Sequence, residues 1–434
     1  MKTFAIASLG CKVNSYESDL LVSMFEAHDY LQVDFKTQPA DVYLINTCTV
    51  TNTGAAKSRK LIRQAISRNE KAIVCVLGCY AQISSQEIAQ IPGVDIIVGT
   101  QYRHQLVEMV EQHTKNQQII KVADIMETSE FEEFGFKAHP SHQRAYLKIQ
   151  EGCNNFCTYC IIPYARGQMR SRSKELVIAE AQQLVLAGYQ EIILTGIHTG
   201  GYGIDLDNYS FTDLVSDLLK EVPQLVRLRI SSLEINQISD RLLKIMKTDS
   251  RLAPHLHIPL QSGSQKILEL MKRKYTKQEF LDKIKNIRAQ LPNIALTTDL
   301  IVGFPGETAE LFTESYDFVQ TCNFFDLHVF PYSKRTGTPA AAMINQVAEK
   351  TKKERVEKMM VLASKQRQLY INKFIEKNLE VIVEEYDQKL KLYYGHSANY
   401  LKVYFKGPAV IGTLVNIKLL ENKNYPLGEV IINE

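Results

Sequence analysis

Residues 150–163 read Gln150-Glu-Gly-Cys153-Asn-Asn-Phe-Cys157-Thr-Tyr-Cys160-Ile-Ile-Pro163. Three cysteines stand at a CxxxCxxC spacing on one short loop, and apolar Leu147 and Ile149 place that loop at the end of a strand. Thiolates are soft ligands that suit zinc, copper or iron–sulfur centres. A closed zinc site or a purely electron-carrying cluster asks for a fourth ligand. None follows nearby; the next cysteine is Cys322. Three thiolates can instead hold three irons of a cubane and leave the fourth open. Three buried structural cysteines are the ordinary alternative, which suits the glycine and the polar neighbours less well.

Outward from the loop, the next residues are basic. Arg166, Arg170, Arg172 and Lys174 follow it with no acid between Ile161 and Lys174. The reading is either a solvated loop or a surface for an anionic substrate, nucleic acid included. The whole chain has 434 residues and a net charge of only +3, which decides nothing about partners. Its 45% hydrophobic content supplies a sizeable core for two or three domains. Eight cysteines (11, 48, 75, 79, 153, 157, 160 and 322) are too sparse for a disulfide-stapled secreted chain. The N-terminus makes a poor signal peptide, and no apolar run approaches the ~20 residues of a membrane span. A soluble, reducing, cytoplasmic setting with no membrane partner is expected.

Upstream, short strands and helices alternate. Strands are expected at Phe4–Leu9, Val42–Ile45, Ala72–Leu77 and Val94–Val98, with helices over Ser15–His28 and Thr53–Arg68 and a capping box at Ser84–Glu87. Alternation of this kind predicts a parallel sheet covered by helices. Cys11, Cys48 and Cys79 each follow the carboxyl end of a strand, where loops of an open sheet converge on a ligand. Three distant residues can thus form one trigonal site, a second cluster with an open iron. Cys75 lies inside a strand and reads as a small core hydrophobe. Polar residues 114–142 join this region, residues 1–137, to the next.

Downstream of the loop, six strand–helix units predict an open, partial (β/α)₆ barrel over residues 143–372, the last part being a long charged helix from Gln346 to Ile371. Capping boxes are expected at Ser210–Asp213 and Thr276–Glu279. Loops at the carboxyl ends of the strands carry Thr195-Gly196, Ser231-Ser232-Leu-Glu234, Pro259-Leu-Gln261 and Thr298-Asp299 through Gly303. Each has a plain alternative, such as a loop cap for Asp299 or a backbone hydrogen bond for Gln261. His255 and His257 read as core or lining residues, Lys272-Arg-Lys274 as a solvated charge run, and Cys322 as a buried thiol. Residues 373–434 change pattern to five short strands, at Leu379–Glu384, Lys389–Tyr394, Tyr400–Phe405, Thr413–Leu419 and Leu427–Ile432, which predict a small β-barrel. Tyr393, Tyr394, His396, Asn399 and Tyr400 cluster at one turn, as ordinary barrel aromatics or as an RNA-stacking surface.

The cysteine loop resembles the radical S-adenosylmethionine (SAM) signature, and its continuation through Tyr164-Ala-Arg-Gly167 and Arg170-Ser-Arg172 is similar to the methylthiotransferase family. So are Ser8-Leu-Gly-Cys11-Lys-Val-Asn14, Asn46-Thr-Cys48-Thr-Val-Thr51 and Gly78-Cys79-Tyr-Ala-Gln82, while Gly395-His396-Ser-Ala-Asn399-Tyr400 looks like part of a TRAM RNA-binding domain. The resemblance covers nearly the whole chain. It implies that Cys153, Cys157 and Cys160 hold a [4Fe–4S] cluster whose open iron chelates SAM. Phe156 and Tyr159 would cover that cluster. Thr195, Gly196, Ser232, Glu234, Gln261, Asp299 and Gly303 would line the SAM site. Cys11, Cys48 and Cys79 would hold an auxiliary [4Fe–4S] cluster that carries the sulfur to be transferred.

Implied partners are a tRNA anticodon stem-loop, a reducing donor such as flavodoxin or ferredoxin, and a sulfur source. Lys12-Val13-Asn14 and Thr49-Val50-Thr51 look like the branch that places a methylthio group at C2 of threonylcarbamoyladenosine(37). The alternatives are the isopentenyladenosine branch, which usually shows Gln-Met-Asn after the first cysteine, and the branch acting on a ribosomal-protein aspartate, which usually shows Pro-Lys-Asn.

Overall fold

The protein is described by a computed structural model over residues 1–49, 52–114, 117–133, 135 and 143–431. Val50 and Thr51, two positions of the second cysteine motif, and the stretch 136–142 before the central strands lie outside the described residues.

The first sheet is six-stranded and wholly parallel. Its order is Leu31–Gln32, Thr3–Ser8, Val42–Thr47, Ile73–Gly78, Ile96–Val98, Ile119–Lys121. Val42–Thr47 is buried along its whole length, as a central parallel strand must be when helices cover both faces. The two-residue strand period sorts its side chains. Tyr43 and Ile45 pack with Ala55, Ile62 and Ala65 of the helix Asn52–Arg68, while Val42 and Leu44 pack with Leu21, Val22 and Phe25 of the helix Lys12–Glu26. Cys75 lies in the second of these cores, beside Leu77, as a small hydrophobe. The first helix begins at Lys12, three residues before the sequence expectation, with Cys11 as its N-cap. The helix Ser85–Ala89 forms, but Ser84 makes no side-chain cap. Ser84 also closes the preceding helix Cys79–Ile83, and its φ/ψ of −131°/39° is not that of a capping serine.

Six further parallel strands follow in chain order: Ala145–Glu151, Glu191–Gly196, Arg227–Ile230, His255–His257, Ala295–Val302 and Asp326–Pro331. Bridges Leu228↔Leu252 and Ser232↔His257 join the two halves of this row. The result is an open, partial (β/α)₆ barrel. Arg170–Ser171 adds an antiparallel edge beside the first strand. Both expected capping boxes are present, at Ser210/Asp213 and Thr276/Glu279. The helix Glu349–Asn372 runs along the outside of the barrel's last strand into a closed five-stranded barrel, ordered Asn378–Asp387, Leu392–Ser397, Lys402–Lys406, Pro426–Val430, Leu414–Asn422. Its second strand starts three residues later than expected. Asp387 Oδ1 accepts from the amides of Lys389 and Leu390, and Lys391 takes a positive φ, so residues 387–391 form the turn. Tyr393, Tyr394 and His396 therefore lie on a strand and not at a turn; of the expected aromatic cluster only Asn399 and Tyr400 lie on the connection that follows.

Two buried ionic seams hold the parts together. At the first, Glu17 of the helix Lys12–Glu26 is fully buried against Arg103, Lys148 and Arg166 at 2.6, 2.8 and 2.5 Å. Burial alone would push the Glu17 carboxyl up, but those three cations outweigh it and hold it well below the usual carboxylate range. At the second, Glu191 takes Arg229 at 2.7 Å and Arg227 at 3.2 Å. The same Arg229 donates to the carbonyls of Ser397 and Ala398 in the small barrel. Tyr400 inserts there, its ring 4.3 Å from that of His255.

These seams correct the reading of the basic run. Arg166, Arg170 and Arg172 are 0%, 2% and 3% exposed, so they offer no phosphate-binding surface. Arg172 pairs with Glu133 and Glu180, and Arg170 donates to backbone carbonyls. Only Lys174 of the four keeps substantial contact with solvent.

Candidate functional site

The CxxxCxxC loop leaves the strand Ala145–Glu151 through Gly152, whose φ is +73°. A Cβ there would lie 1.8 Å from the carbonyl oxygen of Gln168, so only glycine fits. The Cys153 amide donates to the Gly167 carbonyl, and the Cys160 amide to the Cys157 carbonyl. Thr158 anchors the middle: its amide and hydroxyl donate to the carbonyls of Met271 and Leu270. Burial pushes the Cys153 thiol up to about 11 and the Cys160 thiol up to about 12. Arg273 Nη1 donates to Cys157 Sγ at 3.4 Å, and its other nitrogens hold Glu234, the Pro259 carbonyl and Tyr275. Lys272-Arg-Lys274 is thus not one solvated run: the Arg273 side chain is 4% exposed, while Lys272 and Lys274 face solvent.

The other triplet is assembled by the parallel sheet. Cys11 caps a helix just beyond the strand Thr3–Ser8, Cys48 follows Val42–Thr47, and Cys79 follows Ile73–Gly78. These strands are adjacent in the sheet. Gly78 turns at φ +93°, and a Cβ there would meet Asn46 Oδ1 at 2.5 Å, so the chain can reach Cys79 only through glycine. A Cβ on Gly10 would sit 3.2 Å from that of Cys48. Burial pushes the Cys79 thiol up to about 12, with the nearby Cys11 and Cys48 adding to the rise. Asn14 fixes the corner, its amide nitrogen donating to the carbonyls of Leu9 and Thr47. Arg166 comes from the far side of the seam. Its Nε donates to Cys79 Sγ at 3.1 Å and its Nη2 to Asn14 Oδ1 at 2.8 Å.

Two cavities flank the CxxxCxxC loop. One, of about 250 Å³, brings Tyr159, Cys160, Gln261 and Asp299 together behind an apolar wall that includes Ile301 and Tyr332. The other, of about 370 Å³, joins Cys157 and Glu234 to His198 and Arg273. Asp299 sits between His257 and His328, each at 3.2 Å, and the three could hold a metal ion. Gln261 adopts φ +66°, and its amide and carbonyl bond Asp299 and Ile301. Thr195 is buried on the second barrel strand, and Gly196 pairs with Gln150. Ser232 bridges to His257. Gly303 lies in neither cavity but is packed against the Lys352 side chain, its amide donating to Glu307. Phe156 is 38% exposed and meets Tyr164 edge-on, whereas Tyr159 packs into a cluster with Phe304 and Tyr332.

The sulfur contacts of Arg166 and Arg273 were not legible in the sequence. Arg166 stands next to the ligand loop, but its partners Cys79 and Glu17 are 87 and 149 positions away.

Comparison with known proteins places this geometry. A Radical SAM superfamily model matches residues 147–319, and one described as uncharacterized protein family UPF0004 matches residues 3–99. A threonylcarbamoyladenosine tRNA methylthiotransferase, MtaB of Bacillus subtilis, is 49% identical over 99% of this chain and 96% of its own length. The chain belongs to the radical SAM methylthiotransferase family. A tRNA-2-methylthio-N(6)-dimethylallyladenosine synthase of Lachnoclostridium phytofermentans is 36% identical over 99% of this chain and 95% of its own. Among solved structures, the radical SAM methyltransferase TsrM of Kitasatospora setae shares the fold, with a TM-score of 0.59 at 12% identity over 78% of this chain and 77% of that one.

Membership implies a [4Fe–4S] cluster and SAM, and the donor set fits them. All eight cysteines are unbridged. Buried thiols raised this far stay protonated unless a metal takes them as thiolates. A guanidinium aimed at one sulfur of each triplet is what a buried, negatively charged thiolate site requires. Among the described residues no helix is long and apolar enough to cross a membrane.

Proposed function

We propose that this chain is a tRNA threonylcarbamoyladenosine(37) C2-methylthiotransferase with two [4Fe–4S] sites. The observation that carries the reading is the 49% identity to an enzyme of that name along the full length of both chains, against 36% for the dimethylallyladenosine enzyme. Lys12 adds a physical reason. Its charge is felt across the seam by Arg144 and Arg229, which, after burial, push its ammonium down to about 8. An anionic threonyl group would pair with that ammonium, and an isopentenyl group would not.

Residues 1–137 would hold the auxiliary cluster on Cys11, Cys48 and Cys79. Residues 143–372 would hold the radical cluster on Cys153, Cys157 and Cys160, and residues 373–434 would serve as the TRAM-like RNA-binding unit. When bound, the radical cluster and SAM supply a 5′-deoxyadenosyl radical able to take hydrogen from an unactivated carbon. Arg273 holds Cys157 and Glu234 in place. Gln261 and Asp299 present polar groups in an otherwise apolar cavity beside Cys160, while Ile301 and Tyr332 keep water away. Glu234 would meet SAM from the other cavity, with Thr195, Gly196 and Ser232 at the ends of the neighbouring strands.

With the basic run buried, the RNA-facing surface falls to the junction of the two barrels. A groove of about 440 Å³ there carries Tyr404 and Tyr425 with Arg367, Lys402 and Lys423. Rings beside cations suit an anticodon stem-loop. A low-potential donor such as flavodoxin or ferredoxin, a sulfur source and a cytoplasmic location complete the reading. Nucleoside mass spectrometry of tRNA from cells with and without the gene tests it: the 2-methylthio-threonylcarbamoyl species should vanish alone. Loss of the isopentenyl-derived species instead would assign the other branch.

A further inference from the structure

The short helix Ile162–Arg166 begins two residues after Cys160 and ends on the arginine that touches Cys79. One turn and a half of backbone therefore ties the last residue of one cysteine triplet to a sulfur of the other. Thr100 Oγ1 donates to the Ala165 carbonyl at 2.8 Å and pins this helix to the N-terminal sheet. The Arg166 side chain is fully buried, and all its nitrogens are used: Nε on Cys79 Sγ, Nη1 on Glu17 and Glu151, Nη2 on Asn14 and Glu17. A salt bridge alone would not need Nε turned onto a sulfur. The two carboxylates fix the guanidinium plane, and that plane fixes the donor on Cys79.

We propose that Arg166 is a positioning residue that sets the reduction potential of whatever metal group Cys79 helps to hold, making it easier to reduce. The reason is electrostatic. A buried N–H donor with a full positive charge stabilises the state with more negative charge on the sulfur, and hydrogen bonds to ligand sulfurs raise cluster potentials. Low local dielectric enlarges the effect relative to a surface arginine. The inference rests on the reading that Cys11, Cys48 and Cys79 carry a [4Fe–4S] cluster. Arg103 is the internal comparison. It pairs with the same Glu17 at 2.6 Å and is equally buried, with its other terminal nitrogen on Glu132 at 2.8 Å.

The test uses full-length protein with Cys153, Cys157 and Cys160 changed to Ala, so that one cluster remains. After anaerobic reconstitution, iron is counted, and the reduction potential and electron paramagnetic resonance spectrum are measured by titration with dithionite. The same is done with Arg166→Gln, Arg166→Lys and Arg103→Lys added singly. A further variant, Arg166→Gln with Glu17→Gln, keeps the buried charge balanced in case the single change does not fold. Both Arg166→Gln variants should move the potential to more negative values and alter the spectrum. Arg166→Lys should recover part of the shift, and Arg103→Lys should leave the potential alone. An unchanged potential in the Arg166 variants, or an equal shift from Arg103→Lys, overturns the inference while leaving the cluster in place. A parent protein without iron overturns the reading beneath it.

Discussion

The two cysteine triplets are brought together by opposite routes. Cys153, Cys157 and Cys160 lie within eight residues, and mostly local geometry shapes the loop: one glycine at positive φ and two backbone hydrogen bonds, with Thr158 tied to Leu270 and Met271 as its one distant anchor. Cys11, Cys48 and Cys79 span nearly seventy residues and meet only because three parallel strands are neighbours. A local site should survive damage to distant packing, whereas a dispersed one fails with its sheet. Each still borrows an arginine from elsewhere in the chain, Arg273 for the first and Arg166 for the second.

The largest expected effect separates the two chemically. Replacing Cys153, Cys157 and Cys160 by Ala should halve iron from about eight to about four per chain, at four per cubane, and abolish SAM cleavage. Unchanged iron on analysis of the reconstituted protein would contradict the assignment. Next come the glycines. Gly152→Ala forces backbone against the Gln168 carbonyl and should cost at least about 2 kcal/mol, as strained positive-φ positions do; the radical site should lose iron selectively. A variant retaining both clusters and normal thermal stability would show the loop to be more pliant than its geometry says.

Lys12→Met probes the branch. Losing one charge-assisted contact to a threonyl carboxylate, worth about 1.5 kcal/mol, should raise KM for threonylcarbamoyl-bearing tRNA on the order of ten-fold with iron unchanged. Equal kinetics would remove Lys12 from recognition. The seam offers a pH test. Burial opposes the Glu151 charge, but Arg166 and Lys148 outweigh it and hold the carboxyl at about 2. A depressed carboxyl stabilises the fold above its unfolded pKa, near 4.5, and that stability is lost as pH falls toward 2. Urea midpoints of the apoprotein should drop across that window, and Glu151→Gln should flatten the drop. The smallest effects belong to the cysteines outside both triplets. Cys75→Ala and Cys322→Ala should leave iron alone and cost about 1 kcal/mol each from lost core packing.

The sequence carried the local features well. Six barrel units, two of three capping boxes and the cysteine spacings follow from patterns within a few residues of one another, whereas the edge strands Leu31–Gln32 and Ile119–Lys121 carry no such pattern and were not expected. What it hid was partnership at long range. Arg166, Arg170 and Arg172 looked like an exposed basic loop because no acid stands beside them. Glu17 reaches Arg166 and Glu180 reaches Arg172 through the fold, while Arg170 turns onto backbone carbonyls. Arg273 was masked by its lysine neighbours, and Asp387 by the alternating Lys389-Leu-Lys-Leu392 that follows it. Residues that close a seam carry no local signal, because their partners are chosen by topology.

The most direct measurement of the central claim, that the two triplets do separate jobs in one reaction, follows both products in one anaerobic assay. Protein with Cys11, Cys48 and Cys79 changed to Ala is incubated with SAM, dithionite and tRNA bearing threonylcarbamoyladenosine. 5′-Deoxyadenosine and the 2-methylthio nucleoside are then quantified by mass spectrometry. The account predicts that 5′-deoxyadenosine still forms while the 2-methylthio nucleoside does not. Methylthiolated tRNA at the unmodified protein's level would contradict it.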